Sequence, residues 1–133
     1  MSEENINLVR RGWAAYEGGD LPAALELFSP DLVTYAARPL PVAGTYHGPE
    51  GLLQLTLDWA ESFDELVVTA NEFIDAPPDQ VVVRTLHKSH GAGSGVPVET
   101  DVWYVFTVRD DKAERIDVFN EKSEAFEAAG LSR

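Results

Sequence analysis

The chain is predicted to fold as an α+β domain in which a curved, largely antiparallel sheet wraps around helices from the N-terminal half. Two observations predict it. The last third carries two strand-like runs, Gln80 to Ser89 and Pro97 to Arg109, then a third, Arg115 to Asn120, leading into an amphipathic segment, Glu121 to Leu131. The first quarter instead shows helical spacing of its apolar residues. Helices followed by turn-linked strands read as α+β, and a bent sheet closed by helices encloses a pocket for a small molecule.

A length of 133 residues with 44% hydrophobic and 10% aromatic content suits a single domain, 1–133, with one compact core. No apolar run is long enough to span a bilayer, and Met-Ser-Glu-Glu lacks the basic and apolar regions of a signal peptide, so no membrane association and a cytoplasmic location are expected. The chain has no cysteine, which excludes disulfides, thiol nucleophiles and thiolate metal sites. A formal net charge of −13 repels phosphate backbones, so nucleic acid is not an expected partner.

Ile6, Val9, Trp13 and Tyr16 fall on one stripe of a helix over Glu3 to Glu17, which Gly18-Gly19 ends. Asp20 is the N-cap of a second, short helix carrying Leu21, Leu25 and Phe28, with Pro22 in its first turn and Ser29-Pro30 as the stop. Asp31 to Ala37 has strand propensity, and Pro39, Pro41 and Gly44 make the next segment an irregular loop. Gly48-Pro49-Glu50 begins a third helix, whose buried side is Leu52, Leu53, Leu55, Thr56, Trp59 and Phe63. Leu66 to Ile74 is a strand, Pro77-Pro78-Asp79 a turn, and Gly91 to Gly95 the hairpin loop between the two long strands.

Strand alternation sorts the side chains, because successive residues point to opposite faces. Val81, Val83, Thr85 and His87 share one face, as do Val98, Thr100, Val102, Tyr104, Phe106 and Val108, and Ile116, Val118 and Asn120. These faces are expected to be concave and to pack on the helices, with Thr85, His87, Thr100, Tyr104 and Asn120 as polar members of the cavity. The opposite face mixes Trp103, Phe119, Leu86 and Val105 with Glu99, Asp101, Asp117, Arg84, Lys88 and Arg115. Large aromatics within a ring of charges read as a homodimer surface through Trp103 and Phe119, or as a solvated face with cross-strand ion pairs.

The chain from about residue 5 to 131 resembles the SnoaL-like branch of the NTF2-like superfamily, which includes polyketide cyclases, ketosteroid isomerase and limonene epoxide hydrolase. The carriers are Gly19-Asp20 before Leu25-Glu-Leu-Phe-Ser-Pro-Asp31, His47-Gly-Pro-Glu-Gly51, Val81-Val-Val-Arg84, Phe106-Thr-Val-Arg-Asp110, and Arg115-Ile-Asp-Val-Phe with Glu124-Ala-Phe-Glu-Ala-Ala-Gly-Leu131. The resemblance implies an α+β cone with three helices in the N-terminal half and a short C-terminal helix. It specifies fold well and function poorly, because different chemistries occupy one cone. The isomerase's carboxylate base, tyrosine and protonated aspartate fall at Ala36, Gly12 and Tyr104. The epoxide hydrolase's water-positioning tyrosine is retained as Tyr35. Its asparagine falls at Ala37 and its Asp-Arg-Asp set at His87, Thr85 and Val118.

His87 is the one group on the concave face that titrates near neutral pH, which makes it the candidate general base; a hydrogen-bonded core histidine is the alternative. Tyr104 and Tyr35 are candidate donors to a developing oxyanion, or large packed side chains with satisfied hydroxyls. Trp13, Tyr16, Trp59, Val102, Phe106 and Val118 are expected to wall the ligand space, with Thr85, Thr100 and Asn120 as its further polar groups. No second ligand joins His87 at metal spacing, so neither a metal nor a cofactor is expected. The expected activity is proton transfer on an apolar, oxygenated small molecule by an isomerase, cyclase or hydrolase. The alternatives are a non-catalytic binder of a small apolar molecule and a scaffold with a collapsed cavity.

Overall fold

The computed structural model describes residues 2–38, 40, 42–61, 63–91 and 97–131. Helices α1 (Ser2–Glu17), α2 (Leu21–Leu25) and α3 (Gly48–Glu61), with α4 (Lys122–Ala128) at the end, accompany strands β1 (Phe28–Ala36), β2 (Gly44–His47), β3 (Phe63–Ala76), β4 (Gln80–Gly91), β5 (Pro97–Arg109) and β6 (Lys112–Phe119). The six strands form one sheet in the order β2-β1-β6-β5-β4-β3, antiparallel throughout except for the β1–β6 pair. A parallel pair needs a long crossover, and the chain between β1 and β6 supplies it as the rest of the sheet together with α3.

Local chemistry sets the boundaries. Asp20 caps α2 by accepting from the Ala23 backbone N–H at 3.2 Å, and Pro22 sits in the first turn where no N–H is missed. The helix is shorter than the sequence predicts: Phe28 and Ser29-Pro30 already belong to β1, because pairing with β6 starts at Phe28↔Ala113. Phe63, expected on the buried side of α3, opens β3 instead. Asp110 and Asp111, with φ of 51° and 59°, make the two-residue turn between β5 and β6, a conformation that matches the twist of the strands it joins. The expected hairpin loop at Gly91 to Gly95 falls mostly outside the described residues, yet the strands flanking it pair without a slip from Gln80↔Thr107 to His90↔Pro97.

Two cores result. The inner one joins Leu8 and Val9 of α1, Leu55 and Trp59 of α3, and the sheet residues Val81, Val83, Val102, Tyr104, Phe106, Ile116 and Val118. The proline-containing segment after β1 is not merely irregular. Leu40 and Val42 are buried in this core, and the Tyr46 hydroxyl donates to the Val42 carbonyl at 2.8 Å to hold the segment down. The outer core joins Val82, Trp103 and Val105 to Ala125, Phe126 and Ala129 of α4.

The outer core corrects the expectation of an open aromatic patch at Trp103 and Phe119. Trp103 is 5% exposed, its ring meets Phe126 edge to face at 5.9 Å, and Phe119 packs on the same cluster. The Lys122 ammonium lies 5.8 Å from the Trp103 ring and 5.1 Å from that of Phe126, its charged end covering the aromatic pair. These residues are therefore covered by their own chain's C-terminal helix. Phe126→Ala is expected to cost about 3 kcal/mol by leaving a cavity over Trp103, read as a lowered urea midpoint, with Trp103 fluorescence shifting to the red as α4 loosens.

Candidate functional site

A cavity of about 230 Å³ lies between the concave face and the helices. Leu8, Val9, Gly12, Trp13 and Tyr16 reach it from α1, Leu52, Leu55, Thr56 and Trp59 from α3, and His87, Tyr104, Phe106 and Ile116 from the sheet. Scaling from a cavity of about 150 Å³ that holds benzene, this space encloses about nine non-hydrogen atoms, and its open mouth leaves room for a few more. Tyr16 and Leu57, at 36% and 54% exposure, are the most exposed of the lining residues and mark the mouth.

Its polar centre is one pair of side chains. His87 lies opposite Thr100 in the β4–β5 ladder and Tyr104 opposite Val83, four residues further along β5. That offset is about 13 Å along the strand, so the two side chains must lean towards each other over the intervening Thr85–Val102 pair. They do so, with the Tyr104 hydroxyl 3.4 Å from His87 Nε2. Thr85 and Val102, at 0% and 1% exposure, form the floor beneath the contact. The Thr85 hydroxyl donates to the Val102 carbonyl at 2.8 Å, so this floor leaves no polar atom unpaired below the dyad.

Two tryptophans hold the pair from the helix side. The Trp59 ring of α3 lies 4.7 Å from the imidazole, and the Trp13 ring of α1 stands edge-on to Tyr104 at 5.1 Å. Gly12 sets α1 close to the segment that follows α2, where a Cβ would come within 3.2 Å of the Leu27 side chain. A glycine inside a helix costs about 1 kcal/mol against alanine, and that oddity is the signal in the sequence that could have marked Gly12 as a close-approach site.

Burial tunes both groups. His87 is pushed down from 6.5 to about 4 by desolvation, and is therefore neutral at pH 7. Tyr104 is raised far above its usual value, first by burial and then by the neighbouring Tyr16, so it remains a phenol. Tyr16 is itself raised by burial and by Glu17. The His87 Nδ1 and Trp13 Nε1 atoms are buried without a hydrogen-bond partner. A buried phenol that keeps its proton has Nε2 as its described acceptor, which puts the imidazole proton on Nδ1.

The remaining candidates divide sharply. Trp13, Tyr16, Trp59 and Phe106 line the cavity, whereas Thr85, Val102 and Val118 lie beneath its surface, fully packed. Tyr35 is corrected: β1 turns Thr34 and Ala36 inward, pairing them with Ile116 and Val118, so Tyr35 projects outward beside Asp117 and is 37% exposed. Thr100 is exposed near the start of β5, and Asn120 lies past the end of β6; neither lines the cavity. The sequence reading missed Leu66 and Val68, which β3 contributes to the wall beside His87. Among the described residues no cluster of three His, Asp or Glu side chains is placed to hold a metal ion.

The depressed histidine also predicts a stability profile. Between pH 6.5 and 4 the unfolded chain takes up a proton at position 87 that the folded chain refuses, so stability falls with acidification through this window. The full effect is about 3 kcal/mol. Urea unfolding of the wild type and of His87→Asn across this range should show the wild type losing that much more, whereas parallel profiles would mean that His87 titrates normally.

The SnoaL-like domain family matches residues 9–116. No curated protein matches the chain by sequence. Among solved structures, an NTF2-like protein from Burkholderia thailandensis superposes with a TM-score of 0.78 at 19% identity, covering 96% of this chain and 98% of its own. TerC, co-crystallised with polyporic acid, superposes at 0.75 with 21% identity over 96% of this chain and 98% of its own. A candidate polyketide cyclase from Sinorhizobium meliloti gives 0.64 at 23% identity, covering 84% and 93%. At these identities the likeness is one of fold, and together with the family match over most of the length it makes this chain a member of the SnoaL-like family, built on the NTF2-like α+β cone.

Proposed function

We propose that the chain is a small enzyme that takes a compact, oxygenated, mainly apolar molecule into the cone and moves a proton with the His87–Tyr104 pair. The observation that carries this reading is the 3.4 Å contact between the phenol and the imidazole inside a mainly apolar cavity. A C–H or O–H proton of the substrate passes to the Tyr104 oxygen while the phenol proton passes to His87 Nε2. Tyr104 ends unchanged, His87 becomes an imidazolium, and the substrate holds an oxyanion. Return of the proton to a different substrate atom resets the pair and completes an isomerisation or ring closure.

A base near 4 is adequate for this chemistry. The carboxylate base of ketosteroid isomerase has a similar value, about 4.6. Solvent exclusion by Trp13 and Trp59 strengthens the hydrogen bond to the developing oxyanion, because little competing water surrounds it. The neighbour crystallised with polyporic acid and those described as polyketide cyclases support an oxygenated carbon skeleton as the ligand class.

A second reading, a protein that holds such a molecule without changing it, is favoured by one observation. Ala36 and Val118, where related enzymes carry carboxylates, are buried apolar side chains at 1% and 0% exposure. The two readings separate in heavy water with 2-tetralone as probe. Wild-type protein should accelerate deuterium entry at the α-carbon, and His87→Ala and Tyr104→Phe should each reduce that rate by about 100-fold while still binding the ketone. Binding with exchange at the buffer rate would establish the carrier reading instead.

A further inference from the structure

The cavity has an unusual electrostatic property: among the described residues, no Asp, Glu, Lys or Arg lines it. Its hydrogen-bonding groups are few. The Thr56 hydroxyl is committed to the Leu52 carbonyl at 3.0 Å, Tyr16 stands at the half-exposed mouth, and the His87–Tyr104 pair, with the unpartnered Trp13 Nε1–H beside it, remains as the interior pole. An ion entering this space exchanges its hydration shell for hydrocarbon and aromatic walls with no counter-charge to replace it. A neutral molecule with one hydrogen-bonding oxygen has no such cost, because that oxygen finds the dyad and the hydrocarbon body finds the walls.

We infer that the ligand of this site is uncharged: a neutral ketone, phenol or enol of about nine to thirteen non-hydrogen atoms, bound as the neutral form even when its ionised form dominates in solution. The inference rests on the proposed use of the cavity and narrows it. Carboxylates, phosphate esters and ammonium compounds of the same shape are excluded by the cavity itself. The chain's net charge of −13 acts separately, attracting cations to the surface and repelling anions. Cavity exclusion and surface steering therefore predict different orders among isosteric ligands.

Three naphthalenes of nearly equal size make the test: neutral 2-naphthol, anionic 2-naphthoate and cationic 2-(aminomethyl)naphthalene, titrated calorimetrically at pH 7.5 in low and high salt. The expected result is binding of 2-naphthol, with both ions at least about 100-fold weaker and the order unchanged by salt. Equal binding of the ammonium and the naphthol, or recovery of naphthoate binding in high salt, would show that surface charge governs selection and would overturn the inference. Tight naphthoate binding at low salt would overturn it as well, while leaving the cavity's role as a ligand site standing. Failure of all three to bind, with 2-tetralone also failing, would remove the proposed use of the cavity and this inference with it. As a further check, 2-naphthoic acid should gain affinity as the pH falls towards its own pKa, since its neutral form then becomes available.

Discussion

The ladder between β4 and β5 is the constraint on which the site depends. It runs without a bulge from Gln80↔Thr107 to His90↔Pro97, so every inward residue of one strand faces an inward residue of the other. The neighbouring ladders are less regular. Pairing shifts between Asp64 and Val67 and between Ala70 and Glu72 on β3, and between Thr107 and Val108 on the other side of β5. Such irregularities bend and twist a sheet locally. They thus curve its flanks around the helices while the central pair keeps His87 and Tyr104 on one surface.

That surface can bring the two groups together only because what lies between them is small. Thr85 and Val102 let the phenol lie along the sheet and reach the imidazole, and the Thr85 hydroxyl satisfies itself on the Val102 backbone instead of competing for either ring. From above, the rings of Trp13 and Trp59 pack on the phenol and the imidazole. The same enclosure that lowers the histidine keeps the tyrosine protonated. Acceptor and donor roles at neutral pH therefore follow from desolvation.

The sheet is covered on both faces, and the two coverings do different things. α1 and α3 span the concave side incompletely and leave the cavity, whereas α4 packs tightly against Val82, Trp103 and Val105 on the convex side. Leu40 and Val42 fold into the inner core where strands alone would leave it open. A segment with two prolines reads as a loop in sequence, and its apolar residues bury because the Tyr46 hydroxyl and the Ala37 amide tie it to its neighbours.

Much of this is legible in the sequence because alternation and helical spacing are local properties of the chain. Period-two patterning in Val81–His87 and Val102–Val108 is enough to choose the concave residues, including both members of the dyad, and the stripe Val9, Trp13, Tyr16 is enough to choose the inner face of α1. Alternation says which face a residue takes, however, and not how far along the sheet the helices continue to cover it. Thr100 takes the correct face but lies where that covering has ended, and Asn120 lies beyond the last strand. Tyr35 needed the parallel pairing of β1 with β6, a contact between segments some 80 residues apart, to decide its direction. The tertiary structure also decided that α4 covers Trp103, that a histidine and a tyrosine four ladder positions apart touch, and that no charged side chain among the described residues enters the cavity wall. Each is a matter of which distant surfaces meet, settled by the curvature of the whole sheet rather than by any short stretch of chain.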